Sequence, residues 1–293
     1  MIAFQLLING LIAGSIYALI ASGFSLIYAT NRFVHFAHGT TVTVSAYLLF
    51  ALFSQFNLPF SVAATLTIVG ASALGWLMYL ALYRPLKRRG SSNAILLVAS
   101  IGLMILLENL MLLIFGAGVK TLNYLEVAKG LEFFGAVITP LQIVIIAVAA
   151  VLLVSLWVLA QRTKFGITMR AVADDPDLAR ISGINAERAA VQSFMLGSAI
   201  AGLAAILVAL EQNIEPVMGT GLVVKGFTGA VIGGVTSLPG AVLGSYILGL
   251  AENFGIWFLP SGYKDAIAFV LLFVFLLWRP TGILGLPQGT REQ

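Results

Sequence analysis

The sequence predicts an all-α polytopic membrane protein, and three observations predict it. Mean hydropathy is +1.02, with only 10% charged residues against 60% hydrophobic ones, a composition of membrane chains. Several apolar runs reach roughly 20 residues, the length a helix needs to cross about 30 Å of hydrocarbon. The 30 glycines suit close helix packing in lipid better than a soluble helical core. Such runs fill nearly the whole chain, so residues 1–293 read as a single transmembrane domain without room for a soluble catalytic one. The absence of cysteine excludes disulfides, thiolate metal sites and cysteine nucleophiles. The first apolar segment lacks a basic flank and an A-x-A-like cleavage site, so it reads as a retained helix. A net charge of +4 follows the membrane and is no signal for nucleic acid.

About eight to ten transmembrane segments are expected, some discontinuous. They fall at about 4–28, 36–54, 59–82, 93–115, 140–160, 190–210, 221–237, 240–258 and 265–278. Orientation follows from the basic residues. Arg84, Lys87, Arg88 and Arg89 mark a cytoplasmic loop, and alternation then places 12 of the 16 basic residues inside: these four with Arg32, Arg162, Lys164, Arg170, Arg180, Arg188, Arg279 and Arg291. Lys120, Lys129 and Lys264 fall outside, Lys225 lies within a segment, and the N-terminus is outside with the C-terminus inside. An internal parallel repeat is also suggested. Leu82-Tyr83-Arg84-Pro85 and Leu277-Trp278-Arg279-Pro280 each close a segment, and upstream of each a short segment opens through a glycine, at His38-Gly39-Thr40 and at Pro239-Gly240-Ala241.

Two stretches make poor lipid-facing helices. Residues 31–45 carry two His and four hydroxyl side chains, and 221–238 are Gly-rich with Lys225, Thr228, Thr236 and Ser237. Unsatisfied polar groups cost several kcal/mol in hydrocarbon, so both are expected to be broken helices shielded by protein or lining a water-accessible path. His38, Gly39, Thr40, Lys225, Thr228 and Glu252 are the candidates for that path. Lys225 must face a cavity or find a partner, for which Glu252 and Glu108 are available, or else snorkel to the outer interface. His35 and His38 stand at i, i+3, but no third metal-ligand type lies nearby. No metal site is expected, and a hydrogen-bonded histidine at a helix break is the better reading.

Residues 161–189 form the one long charged loop, with nine of the 28 charged residues between Arg162 and Arg188. Asp175 is a helix N-cap, Pro176 fits the first helical position, and Asp177 lies in the positive first turn. Gly183 is placed to end that helix in the left-handed conformation. Asn185 and Glu187 open the next apolar run. The spacing predicts a short helix over about 175–183 that presents Leu178 and Ile181 beside Arg180, a small apolar knob suited to a groove on a partner protein. The acidic run at Asp174, Asp175 and Asp177 disfavours rest on an anionic lipid surface. Gly10 and Gly14, and Gly197, Ala201 and Ala205, form small-xxx-small ridges for packing within the chain or against another subunit. Glu126, Glu132, Glu211, Glu215 and Asp265 make the outer face mildly acidic. No G-x-x-x-x-G-K-[ST] occurs, no catalytic constellation stands out, and the chain does not read as an enzyme.

At this point the residues resemble a known family. Phe36-Ala37-His38-Gly39, Gly183-Ile184-Asn185, and Lys225 with Gly233-Gly234 and Pro239-Gly240-Ala241 carry the likeness. So do Ala251-Glu252, Tyr263-Lys264-Asp265 and the closing 279–285 stretch, Arg-Pro-Thr-Gly-Ile-Leu-Gly. Together they are similar to the LivH-type permease of branched-chain amino acid ABC importers, over essentially the whole chain. The resemblance implies a bacterial inner-membrane permease with a second, LivM-type permease subunit or a second copy of itself, two cytoplasmic ATPase subunits and a periplasmic binding protein. ATP would be used by those partners, with no cofactor in this chain, and the 175–183 helix would be the coupling helix. His35 and Thr40 depart from the usual Asn and acidic residue around Phe-Ala-His-Gly, and related importers carry urea, short amides or other amino acids. A stand-alone secondary transporter or channel would need more intramembrane ionisable groups than Lys225, Glu252 and Glu108. A scaffold subunit without a conduction path is the remaining class.

Overall fold

The longest apolar run becomes the central element of the fold. In the computed structural model, which describes residues 2–122, 124, 130–133 and 135–285, helix α1 spans Ile2–Asn31. Its 30 residues give a length of about 45 Å, well beyond the hydrocarbon thickness, and it is apolar on every side because it is buried on nearly every side. Expectations placed on Glu126, Lys129 and Arg291 lie outside the described residues.

Around α1 pack α6 (Pro140–Arg162), α9 (Ala186–Glu211), α10 (Met218–Gly233) and α11 (Leu238–Gly255). Helix α2 (Ala37–Phe50) inserts between α9, α10, α3 (Phe60–Met78) and α5 (Asn93–Phe115). A π-helical turn, Ala51–Gln55, extends α2; another, Tyr79–Tyr83, carries α3 into α4 (Arg84–Arg88). Helices α5, α6 and α12 (Lys264–Trp278) leave large apolar side chains exposed, such as Leu113, Val151 and Phe273, as lipid-facing helices do. A small antiparallel hairpin, β1 (Leu131–Phe133) with β2 (Ala136–Ile138), sits at the start of α1, where Gln5 exchanges two hydrogen bonds with the backbone of Val137. Thr139 and Gln142 then form a capping box that starts α6.

Among the described residues, seven helices are long and apolar enough to cross a membrane, or eight if α10 and α11 count as one bent span. The two segments expected at 221–237 and 240–258 thus become one pair of helices, bent by 115° across a short break. The reason is Gly234, at φ +115°, a backbone state that costs an L side chain dearly. The break is closed by the C-terminal stretch: Ile283 N–H donates to Ile232 O (2.9 Å) and Leu284 N–H to Gly233 O (2.8 Å). Ser25 of α1 donates to Val235 O (2.6 Å). Every one of these bonds satisfies a backbone group that a helix break would otherwise leave bare in an apolar medium.

Small residues set the helix crossings. Gly10 and Gly14 of α1 lie against Tyr246, Gly249 and Leu250 of α11, and Gly23 lies on Gly197 of α9. These ridges therefore pack within the chain. Gly39 faces the Gly219 carbonyl across the α2–α10 crossing, where the Gly219 N–H also donates to Thr43 Oγ1 (3.0 Å). Gly39→Val is accordingly expected to cost about 1–3 kcal/mol or prevent folding, whereas Gly221→Ala, which meets open space, leaves the melting temperature of the solubilised protein unchanged. Equal melting of the two variants would remove the crossing from its structural role.

Candidate functional site

The charged loop folds into two helices rather than one. Gly166 allows the sharp turn out of α6, since a side chain there would strike the carbonyl of Ala160. Thr163 caps the amphipathic helix α7 (Lys164–Asp174) by accepting from Gly166 N (3.2 Å). Met169 and Val172 of α7 are buried against Ala179 and Ala189. Sequence reading missed α7, although Phe165, Met169 and Val172 at helical spacing signal it.

Helix α8 (Pro176–Ile181) forms as its sequence dictates. The Asp175 carboxylate accepts from Asp177 N (3.0 Å) and Leu178 N (3.1 Å), and Pro176 takes the first helical position. Gly183, at φ +82°, ends the helix while Ile184 N–H donates back to Ala179 O (2.9 Å), the pattern of a left-handed glycine cap. Asn185 then caps α9 through Arg188 N (3.0 Å). Leu178 and Ile181 are 61% and 84% exposed, while Ala179 faces inward onto α7. Arg180 pairs with Asp177 at 3.3 Å along the outer face.

Charged contacts fasten this unit to the bundle. Glu187 at the start of α9 pairs with Arg84 and with Arg88 (3.5 Å) of α4. Arg32, in the break after α1, donates to the carbonyl of Ala173 at the end of α7. Lys87 Nζ donates to Asn31 Oδ1 (2.6 Å). These partners are far apart in sequence, and no local signal pairs them.

Residues 32–36 form the break between α1 and α2, and α2 then runs on into its π-helical turn as one span, so the discontinuous helix expected across 31–45 does not form. His38, Gly39 and Thr40 form the first turn of α2, as Pro239, Gly240 and Ala241 do in α11. His35 Nδ1 lies 2.9 Å from the Tyr83 hydroxyl and 3.3 Å from Ser100 Oγ, which also accepts from Ala37 N (3.0 Å). Tyr83 is the last residue of the π-helical turn Tyr79–Tyr83. His38 packs on Gly23, and Thr40 Oγ1 donates to Ala37 O (2.8 Å). Thr228 is buried on α10 with an unpaired hydroxyl. His38, Gly39, Thr40, Thr228 and Glu252 are all buried within the single chain.

Lys225 and Glu252 form a separate node. Lys225 Nζ lies 3.6 Å from Glu252 Oε1 and 3.0 Å from Asp265 Oδ1. Tyr17 of α1 donates to Glu252 Oε2 (2.8 Å), and its ring lies 5.5 Å from the Lys225 ammonium. The node thus joins α1, α10, α11 and the start of α12. Of the two carboxylates expected for Lys225, Glu252 is the partner; Glu108 instead accepts from the Thr220 hydroxyl. Tyr17 and Asp265 were not legible as members, because one is a tyrosine ring in an apolar helix that also carries Tyr28 and the other reads as part of an acidic rim.

This mainly helical bundle with an interrupted helix pair shares its fold with a chain of PsaBC from Streptococcus pneumoniae in complex with Fab, at a TM-score of 0.52 over 93% of this chain and 91% of that one, with 13% identity. Architecture and composition together define a polytopic membrane protein. Sequence comparison narrows the class. A family model described as the branched-chain amino acid transport system / permease component matches residues 6–276, and the chain belongs to that family. It is 36% identical to the high-affinity branched-chain amino acid transport system permease protein BraD of Pseudomonas aeruginosa, over 97% of this chain and 96% of that protein. The LivH permease of Escherichia coli K12 is likewise 36% identical with the same coverage. A probable LivH permease of Methanocaldococcus jannaschii is 30% identical over 96% of this chain and 92% of that protein.

Because Glu252 is fully buried, Lys225→Met strands a carboxylate and is expected to destabilise the protein by about 3–5 kcal/mol. Adding Glu252→Gln should recover part of that loss. Thermal unfolding of the solubilised variants checks this, and a single Lys225→Met as stable as the parent protein excludes the pairing.

Proposed function

We propose that the chain is the membrane-spanning permease of an ATP-driven importer of branched-chain amino acids, with substrate delivered by a periplasmic binding protein. The observation that carries the coupling role is α8, a doubly capped helix that exposes Leu178 and Ile181 and buries only Ala179. Two apolar side chains held rigidly in water are an anchor for a groove. The proposed occupant of that role is one of two cytoplasmic ATPase subunits, which bind and hydrolyse the ATP; this chain contributes no cofactor. The names of the relatives supply the substrate class, and a second permease subunit, LivM-type or a second copy, completes the membrane unit.

In this reading 161–189 faces the cytoplasm of a bacterial inner membrane, the N-terminus is periplasmic and the C-terminus cytoplasmic. The basic cluster Arg84, Lys87, Arg88 and Arg89 supports that orientation. The geometry suggests how force would travel. Displacement of α8 moves the buried contact of Ala179 with Met169 and Val172, and hence α7 and the start of α9. The contacts of Glu187 with Arg84 and Arg88, and of Arg32 with Ala173, pass that movement to α4 and the end of α1. Helices packed through glycine, with little side-chain interdigitation, slide at modest cost. Access would alternate about the interrupted region near His38, Gly39 and Thr40 on one side and Thr228, Lys225 and Glu252 on the other. The burial of His38, Gly39, Thr40, Thr228 and Glu252 in the single chain, with Lys225 half-buried, fits a closed arrangement that opens at the contact with the second permease.

Replacing Leu178 and Ile181 together with Asp is expected to detach the ATPase subunit and lower uptake at least about thirtyfold, the effect of losing an anchor worth roughly 2 kcal/mol. Melting of the isolated permease should change little, because both side chains are exposed. Normal assembly and substrate-stimulated hydrolysis in this variant exclude the coupling role. For the substrate, leucine or valine should raise the melting temperature of the cognate binding protein by mass action, and urea and short amides should not; a reversed result reassigns the substrate.

A further inference from the structure

Two adjoining cavities, which share the walls Leu238 and Pro239, form a trough from the loop end of the bundle along its apolar flank. Its mouth is a cavity between the end of α1, the α6–α7 turn and the start of α11, lined by Thr30, Gln161, Phe165, Arg170 and Ser237 among others. Leu238 and Pro239 line this cavity and also the next one, an open groove between α6 and α11. That groove is almost wholly apolar, walled by Leu153 and Trp157 on one side and Val242, Leu243, Tyr246 and Leu250 on the other. Because α6 runs towards the mouth and α11 away from it, the groove extends from the loop end into the membrane-spanning part of the bundle.

The chemistry of the trough changes along its length. Arg170 is exposed at the mouth, where it donates to Gln161 Oε1 (2.7 Å) and makes no ion pair among the described residues. The N-terminus of α11, capped by Ser237, adds a partial positive charge at the same place. No described lining residue of either cavity is Asp or Glu. A free amino acid brings an ammonium group as well as a carboxylate, and this mouth offers the ammonium no counter-charge. An amphiphile with an anionic head and a long apolar tail fits both ends.

We propose that the trough is a binding site for an anionic phospholipid of the surrounding bilayer, its phosphate at Arg170 and one acyl chain along α6 and α11. The site is separate from the interrupted helices and from the α8 knob, and it does not depend on the substrate assignment. A helix of a second permease would fill the apolar groove but leave the cationic mouth unexplained, so lipid is the occupant that accounts for both parts. The bound headgroup would rest at the mouth against Arg170, while the acidic Asp174, Asp175 and Asp177 that disfavour anionic lipid at α8 line neither cavity.

The test uses the whole importer complex, purified in detergent with mixed phosphatidylcholine and phosphatidylglycerol and read by native mass spectrometry. Phosphatidylglycerol should remain on the permease in preference to phosphatidylcholine. Arg170→Gln should lower that retention about fivefold, the attraction of one basic residue for an anionic surface, and Arg170→Lys should preserve it. Leu243→Trp, which fills the groove, should remove it, and melting curves of each variant show whether the fold is kept. Retention unaffected by Arg170→Gln overturns the proposal, as does equal retention of the two lipids. Displacement of the lipid by excess inorganic phosphate assigns the mouth to free phosphate instead. The chain has no cysteine, so Leu243→Cys gives the one thiol of this chain: crosslinking from it to the second permease, and not to a lipid-borne reagent, would make the groove a subunit interface and end the lipid assignment.

Discussion

Close approach of backbones at glycine is the constraint on which the rest of this structure depends. In lipid there is no water to squeeze out between helices, so association relies on van der Waals contact and interhelical hydrogen bonds. Bare backbones meet at Gly39 with Gly219, Gly23 with Gly197, Gly233 with Gly240, and Gly249 with Gly10 and Gly14. At each crossing, contact distance is set by the absence of a Cβ. The consequence is a bundle whose polar groups are forced inward: a helix that packs this tightly shields the broken backbone at 32–36 and at the α10–α11 turn from the hydrocarbon.

The two breaks are stabilised differently, and the difference follows from what surrounds them. At 32–36 side chains do the work: His35, Tyr83 and Ser100 form a buried hydrogen-bonded group, and Lys87 reaches Asn31. At the α10–α11 turn it is mostly main chain, with Ile283 and Leu284 donating to Ile232 and Gly233. The closing 279–285 stretch is therefore a lid on the break, and its Gly282, at φ +76° against the Gly234 backbone, is the residue that lets it lie flat there. The π-helical turn at Tyr79–Tyr83 ends on Tyr83, whose hydroxyl meets His35.

Ionic contacts have two distinct tasks. The exposed ones, Glu187 with Arg84 and Arg88, add little stability in water; they define where the loop helices sit relative to α4. The buried one, Lys225 with Glu252, carries a large penalty for separation and fixes the open end of the α10–α11 pair against α1 and α12. Movement proposed for the transport cycle would therefore pivot between a rigid node at Lys225 and a more adjustable one at Glu187.

Local chemistry determined much of this molecule from the sequence alone. Asp175, Pro176 and Gly183 specify α8, because caps and a left-handed stop act within a few residues, and the apolar runs specify the helices, because hydrocarbon thickness sets their length. The polar content of 221–238 announced a broken helix, because unsatisfied groups are intolerable in lipid, whereas that of 31–45 falls on a chain connection and a continuous helix buried by its neighbours. Tertiary structure alone decided what each break faces. It reversed the chain at Gly234, so two expected spans became one bent pair, and it placed α7 beneath α8. It chose Glu252 and Asp265 over Glu108 for Lys225, and gave Tyr17 its carboxylate. Those choices are made by contacts between residues separated by much of the chain, where distance in space, and no periodicity or spacing, selects the partner.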